Sequence, residues 1–191
     1  MKWIQTEDQG RVRWLTLDRP DKRNAVPMDG WEDLTVAFGE FEASGSRVLV
    51  VTGAGEDFCA GADLDPSRIS ETQSVEDRHR RMKVVGEAAL TLHRLTKPTV
   101  AAVDGVAVGA GLNLALGCDI VLATPRSRFS EIFVRRGLTL DFGGSWLLPR
   151  IVGIQRAKEM ALTGRIVSGP EALKMGLVTE LVDPEDLRSR A

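Results

Sequence analysis

Tyrosine is absent from this 191-residue chain, and aromatic residues make up only 5% of it. Without stacking side chains, and with a net charge of −2 that sets up no attractive field for a polyanion, the sequence excludes a nucleic-acid-binding surface. Histidine and cysteine occur twice each. His79 and His93 fall on one expected helix, about 21 Å apart by helix rise, so they share no metal ion and read as solvated positions. Cys59 and Cys118 have neither C-x-x-C nor metal-ligand spacing and each sits in an apolar segment, so they read as structural thiols of a reducing compartment. No uninterrupted apolar run approaches the roughly 18 residues that cross a bilayer, and Met1 to Asp8 carries no apolar signal core. The expectation is a cytoplasmic protein with no metal, membrane or nucleic-acid partner.

With 43% hydrophobic and 27% charged residues, the composition suits one globular domain spanning residues 1–191. Val12, Trp14, Leu15 and Leu17 predict a first strand, ended by the turn Arg19-Pro20-Asp21. Met28, Trp31, Leu34, Ala37, Phe38 and Phe41 recur at helical spacing up to Ser44-Gly45. A strand over Val48 to Thr52 follows, then a polar loop from Asp63 to Ser74. Val75 to Leu95 reads as a helix with Met82, Val85, Ala89 and Leu92 on its apolar stripe. Its cations Arg78, Arg80, Arg81, Lys83 and Arg94 form either a solvated face or an approach to an anionic ligand. Strands are expected at Thr99 to Val103, Ile120 to Ala123 and Val178 to Val182. Further helices are expected over Ser145 to Val152, broken or bent at Pro149, over Arg156 to Leu162, and over Gly169 to Lys174 with Ser168 as N-cap. The segment from Asp183 reads as the start of another, capped by Asp183 with Pro184 at its first position. This alternation predicts an α/β fold with mainly parallel strands.

The most telling segment is Gly105-Val-Ala-Val-Gly-Ala-Gly-Leu-Asn-Leu-Ala-Leu-Gly117, which reads as a nearly bare turn between a strand and an apolar helix. Backbone N–H groups are accessible in such a turn, and the helix adds its positive end, so the segment suits an anion. Phosphate is the weaker choice. Gly109-Ala110-Gly111-Leu112-Asn113-Leu114 lacks the third glycine of the dinucleotide fingerprint, Gly53 to Phe58 lacks it too, and no G-K-[ST] occurs. A second bare turn, Gly61-Ala62 within Phe58-Cys-Ala-Gly-Ala-Asp-Leu64, follows the apolar strand at Arg47 to Gly53. The two turns either converge two N–H donors on one oxygen, as an oxyanion hole does, or serve only as tight strand-to-helix connections.

Four blocks make the chain resemble the crotonase superfamily, the enoyl-CoA hydratase/isomerase fold: Leu17-Asp-Arg-Pro-Asp-Lys-Arg-Asn-Ala25, Phe58 to Leu64, Asp104-Gly-Val-Ala-Val-Gly-Ala-Gly111, and Gly137-Leu-Thr-Leu-Asp-Phe-Gly-Gly144. A late stretch, Leu162 to Ser168 and Ala172 to Val178, fits as well. The resemblance implies a ββα spiral fold, an acyl-CoA thioester substrate and a homotrimer or hexamer. No cofactor is implied beyond the coenzyme A carried by the substrate. It also implies a C-terminal helical region, most of which is expected to be truncated at Ala191. By motif position the oxyanion donors are the N–H groups of Ala62, after Gly61, and Ala110, after Gly109. The coenzyme A moiety is expected along Ala60, Ala62, Asp63, Leu64 and Gly109. Lys22 and Arg23 either approach its phosphates or are ordinary surface cations.

Hydratases of this family use two glutamates, and this chain has Asn113 and Phe133 at those positions; neither moves a proton at neutral pH. Asp141 stands where one branch of the family, the enoyl-CoA isomerases and ring-epoxide isomerases, keeps its acid/base. The competing reading is an Asp that caps the next helix. Leu138, Leu140 and Phe142 would raise its pKa and the helix start would lower it. Glu131, expected on a strand two residues before Phe133, is the reserve candidate, read equally well as a solvated strand end. The favoured reading is a single-carboxylate double-bond isomerase, with a hydratase of rearranged acid/base set and a non-catalytic acyl-CoA binder as rivals. Trp146 to Val152 and Leu177 to Val182 are expected to be partly covered by a neighbouring subunit or tail.

Overall fold

The computed structural model describes residues 3–64 and 74–191, so most of the expected polar loop, 65–73, lies outside the described residues. A six-stranded sheet runs in the order β1-β2-β3-β4-β6-β9, built from β1 (Ile4–Gln9), β2 (Val12–Leu17), β3 (Val48–Gly53), β4 (Thr99–Val103), β6 (Ile120–Ala123) and β9 (Glu180–Leu181). β1 and β2 form an antiparallel hairpin, and every other neighbouring pair is parallel. β1 was not anticipated because its only buried side chain is Ile4; the rest of this edge strand is exposed and shows no alternation.

The central strands bury both faces, in keeping with a mainly parallel sheet. Leu15, Leu17, Leu49, Val51, Ala101 and Val103 join the main core, while Trp14, Val50, Val100, Ala102 and Leu122 join a second cluster on the opposite face. Helix α1 (Gly30–Ala43) seals the main core with Trp31, Leu34, Ala37, Phe38 and Phe41, as its periodicity predicts. Helix α2 (Val75–His93) differs in detail. Its buried positions are Val85, Ala88 and Leu92, while Met82 is half exposed, because the first turns of the helix stand off the core. Cys59 and Cys118 are buried and unpaired, and burial pushes both thiols up to about 12.

A second, three-stranded sheet, β5 (Val106–Val108), β7 (Arg128–Ser130) and β8 (Val167–Ser168), lies inside what the sequence reads as loops. It matters for the site because β5 occupies the glycine turn between Gly105 and Gly109 and leads into α3 (Ala110–Leu116), every residue of which is buried. The helical half follows with α4 (Gly144–Val152), α5 (Ile154–Thr163), α6 (Gly169–Lys174) and α7 (Leu187–Arg190). Pro149 does not end α4. Its ring deprives only the carbonyl four residues earlier of a donor, and that carbonyl belongs to exposed Ser145, which water can serve. Ser168 caps α6 as expected, accepting from Glu171 N–H at 3.4 Å. The last helix starts later than predicted, because Asp183 closes a turn with Asp186 N–H and the helix forms only where Leu187 is buried. Leu177, Val178 and Val182 are covered by their own chain, contrary to the expectation that a neighbour covers them.

Candidate active site

Two glycine turns lie side by side. Cys59 N–H donates to Val106 O at 2.9 Å and Val108 N–H to Cys59 O at 3.0 Å, which stitches the Phe58–Leu64 segment to β5. Gly61 has φ +86, and a Cβ there would stand 2.9 Å from Val108 O and 3.4 Å from Ala110 N, so the two turns touch through bare backbone. A Cβ on Gly111 would overlap the Cys59 carbonyl, which keeps α3 equally close.

Val26 N–H donates to Gly61 O and Asp63 N–H to Val26 O, a parallel bridge that turns the N–H of Ala62 to the opposite edge. Ala110 is the first residue of α3, where no intrahelical acceptor is available. Among the described residues neither N–H has a hydrogen-bond acceptor.

The carboxylate half of the site is built around Asn113, one turn into α3 and about 4.5 Å along its axis from Ala110. The Asn113 side chain is fully buried, and a Cβ on Gly144 at the start of α4 would overlap it. Its Nδ2 donates to Asp141 O at 3.1 Å and to Glu131 Oε2 at 3.4 Å. Among the described residues, Asn113 Oδ1, Glu131 Oε1 and Asp141 Oδ1 are buried without a hydrogen-bond partner. Orphaned buried oxygens are costly, and three on neighbouring side chains make this the candidate site for an acid/base.

Asp141 is not a helix cap. Gly143 holds the N-cap position of α4 with no side-chain bond, and Asp141 contributes only its backbone carbonyl, to Gly144 N–H. Burial raises its carboxyl to about 6, a shift that its own backbone N–H only partly opposes. The predicted desolvating set is corrected too: Leu138 is exposed, whereas Phe142 is buried and packs on Trp31 with ring centroids 5.6 Å apart. Phe142 adopts φ +45, a strained conformation directly after the acid. Glu131 is neither on a strand nor solvated. It stands at the N-cap position of the 3-10 helix Ile132–Arg136 without a side-chain cap bond, is fully buried, and is raised to about 8, first by burial and further by the Asp141 charge, against the Asn113 hydrogen bond.

Lys22, on the 3-10 helix Pro20–Lys22, and Arg23 are exposed beside this assembly. Arg23 lies 3.7 Å from Asp57 and its carbonyl accepts from Ala60 N–H. Asp63 is engaged by Arg19 at 2.9 Å, which ties the first block to the turn bearing Ala62, and Leu64 is exposed. Sequence reasoning assigned no role to Asn24 or Asp57. Buried Asn24, at φ +55, donates to Ala54 O and Asp57 O, and Asp57 Oδ1 accepts from Val106 N–H, extending the bridge that holds the two turns together. The only signal for them is membership of the first two blocks. The histidines are apart and exposed, His93 resting edge-on against Trp146. Among the described residues no cluster of three or more His, Cys, Asp or Glu could hold a metal, and no helix is long and apolar enough to cross a membrane.

The family model for enoyl-CoA hydratase/isomerase matches residues 7–191. The chain is 37% identical to the 1,2-epoxyphenylacetyl-CoA isomerase of Escherichia coli, over all of this chain and 74% of that protein. It is 38% identical to the short-chain-enoyl-CoA hydratase of Clostridium acetobutylicum, over 97% of this chain and 70% of the relative. The crystal structure of a putative enoyl-CoA hydratase from Streptomyces coelicolor superposes with a TM-score of 0.93 at 33% identity, covering 99% of this chain and 70% of that one.

Proposed function

Because the chain belongs to the enoyl-CoA hydratase/isomerase family of the crotonase superfamily, we propose that it isomerises the double bond of an enoyl-CoA with Asp141 as its single acid/base. That it is an enoyl-CoA isomerase or hydratase follows from the family; the choice between them rests on the carboxylates. The carrying observation is that Asp141 is a half-buried carboxylate with one buried oxygen that has no partner among the described residues, attached by its backbone carbonyl through Asn113 to the helix whose first N–H is Ala110.

In this reading the thioester oxygen accepts from Ala62 N–H and Ala110 N–H. Asp141 takes a proton from C2 of a 3-enoyl chain, and the electrons spread over a dienolate held by those two donors. The protonated acid returns the proton to C4, giving the 2-enoyl product with no net change in atoms. Each oxyanion donor typically contributes about 10²–10³-fold, and a positioned acid/base about 10²–10⁴-fold. The E. coli relative, itself named an isomerase, supports assignment to the branch with Asp before the Gly-Gly pair. Lys22 and Arg23, with the backbone at Ala60, Ala62, Asp63, Leu64 and Gly109, form the proposed coenzyme A side.

The second reading, hydration, is favoured by one observation: the Asn113 amide that bonds the Asp141 backbone carbonyl also bonds a second carboxyl, that of buried Glu131. Incubation with a 3-enoyl-CoA and, separately, a 2-enoyl-CoA, followed by product analysis, separates the two. Interconversion of the two enoyl esters is the expected result. A 3-hydroxyacyl product alone would establish hydration, and recovery of both substrates unchanged would leave an acyl-CoA binder.

A further inference from the structure

Glu131 is unusual within its own site. It has no exposed surface, and among the described residues its only side-chain hydrogen bond is the long one that Oε2 accepts from Asn113 Nδ2. The ionisable groups on the elements around it offer no compensation. Arg135 and Arg136 are exposed at the far end of its own 3-10 helix. Arg156, Lys158 and Glu159 on α5 are exposed as well, and Arg165 is paired with Glu159 and Glu171. Helix α3 carries no ionisable residue, and among the described residues the charge that acts on Glu131 is the like charge of Asp141. The Asn113 amide holds the Glu131 carboxyl and the Asp141 backbone carbonyl together, the Asp141 charge opposes a second charge on fully buried Glu131, and the less buried Asp141 therefore ionises first.

We propose that Glu131 is a positioning residue, buried behind the Asn113 amide in its uncharged acid form, which keeps Asp141 the single negative charge of the site. This inference rests on the reading of Asp141 as the acid/base. As an acid, Glu131 presents its carbonyl oxygen to Asn113 Nδ2 and so holds the amide on the Asp141 carbonyl. It adds no charge to oppose a developing enolate. When it ionises, at about 8, the second charge raises the proton affinity of Asp141 and disfavours the enolate. Turnover should therefore rise with pH as Asp141 ionises, near 6, and fall as Glu131 does.

The test is the pH profile of kcat for wild type, Glu131→Gln and Glu131→Ala on the product-analysis substrate, together with carboxyl infrared spectra of wild-type protein labelled with ¹³C at glutamate side chains. Glu131→Gln should lower turnover at neutral pH by no more than about tenfold and abolish the descending alkaline limb. Glu131→Ala, which leaves the amide unanchored, should lose more. The spectra should show one protonated glutamate at neutral pH that disappears above about pH 8. A descending limb that survives in Glu131→Gln overturns the proposal, and so does a Glu131→Gln variant as inactive as Asp141→Asn, since that outcome makes Glu131 a proton donor to substrate. The infrared band needs neither turnover nor a variant, so its absence overturns the proposal independently, whereas full activity in Asp141→Asn overturns only the reading beneath it.

Discussion

The side-chain amide of Asn113 donates to the backbone carbonyl of Asp141 at 3.1 Å, so one bond joins the helix that begins at Ala110 to the loop that carries the carboxylate. The proposed oxyanion donor and the proposed acid/base are thereby fixed to the same rigid element, which is what sub-ångström placement of a reacting group requires.

Cutting that bond should loosen the site without removing its chemistry. Asn113→Ala is expected to lower kcat by less than Asp141→Asn does, because an amide cannot carry the proton. It should also cost about 1–3 kcal/mol of stability, because the buried Glu131 carboxyl loses its side-chain donor, while the Asp141 carbonyl keeps the N–H of Gly144. Steady-state kinetics and denaturant unfolding on the same preparations check both parts.

The raised carboxyls make a prediction about stability and pH. Burial raises Asp141 from 3.8 to about 6 and Glu131 from 4.5 to about 8, so between these limits the folded chain holds protons that the unfolded chain has released. The stability contributed by these two groups is therefore fully present below about pH 4 and is lost as pH rises through 6 and 8. Asp8, Glu42 and Asp104, all lowered, act with the opposite sign at the acid end. Glu131→Gln should therefore stabilise the protein at pH 8 relative to pH 5 by on the order of a few kcal/mol, and Asp141→Asn by less. Equal effects at both pH values in urea unfolding would contradict the assignment of these burial shifts.

Gly61→Ala tests the oxyanion hole. The substitution imposes φ +86 on a residue with a side chain and crowds Val108 O, so about 1–3 kcal/mol of stability should be lost. Because the displaced backbone is the one that aims Ala62 N–H, kcat should fall by about 10²–10³-fold, the loss expected for one donor. A variant with reduced stability and unchanged kcat would remove Ala62 from the mechanism.

The sequence carries the strands and helices whose apolar positions repeat, namely β2, α1, β3, β4 and α3, because burial on a regular element writes a period into the chain. It does not carry β1, whose outward face has no period, or β5, whose three residues look like the rest of a glycine turn. The site divides in the same way. Gly61, Gly109 and Asp141 stand out by local motif. The roles of Asn113 and Glu131 as partners of Asp141 do not, because they depend on the approach of α4 to α3 through Gly144, a contact between segments far apart in sequence. The helix-cap reading of Asp141 failed for a local reason: the strained Phe142 and left-handed Gly143 carry the chain into α4 with the acid facing away from its first N–H groups.

The helical half from Val134 to Leu173 exposes Val134, Leu138, Trp146, Ile151, Ile154, Leu162, Ile166 and Leu173. These exposed side chains are open to cover by a neighbouring subunit or tail, and with the family resemblance they lead us to expect a homotrimer or hexamer. Light scattering at micromolar concentration should report an oligomer, and charged substitutions at Leu162 and Ile154 should shift it toward monomer. A wild-type monomer would contradict the expectation.

The most direct test of the account is proton transfer at Asp141 itself. Wild-type protein incubated with a 3-enoyl-CoA in deuterated water should give a 2-enoyl product and incorporate solvent deuterium at C2 or C4. Asp141→Asn should bind the same ester with similar affinity, because the carboxylate Oδ1 it replaces has no partner, yet turn over about 10²-fold or more slowly with no exchange. Exchange and turnover near wild-type levels in Asp141→Asn would contradict the single-carboxylate mechanism and return the search to Glu131.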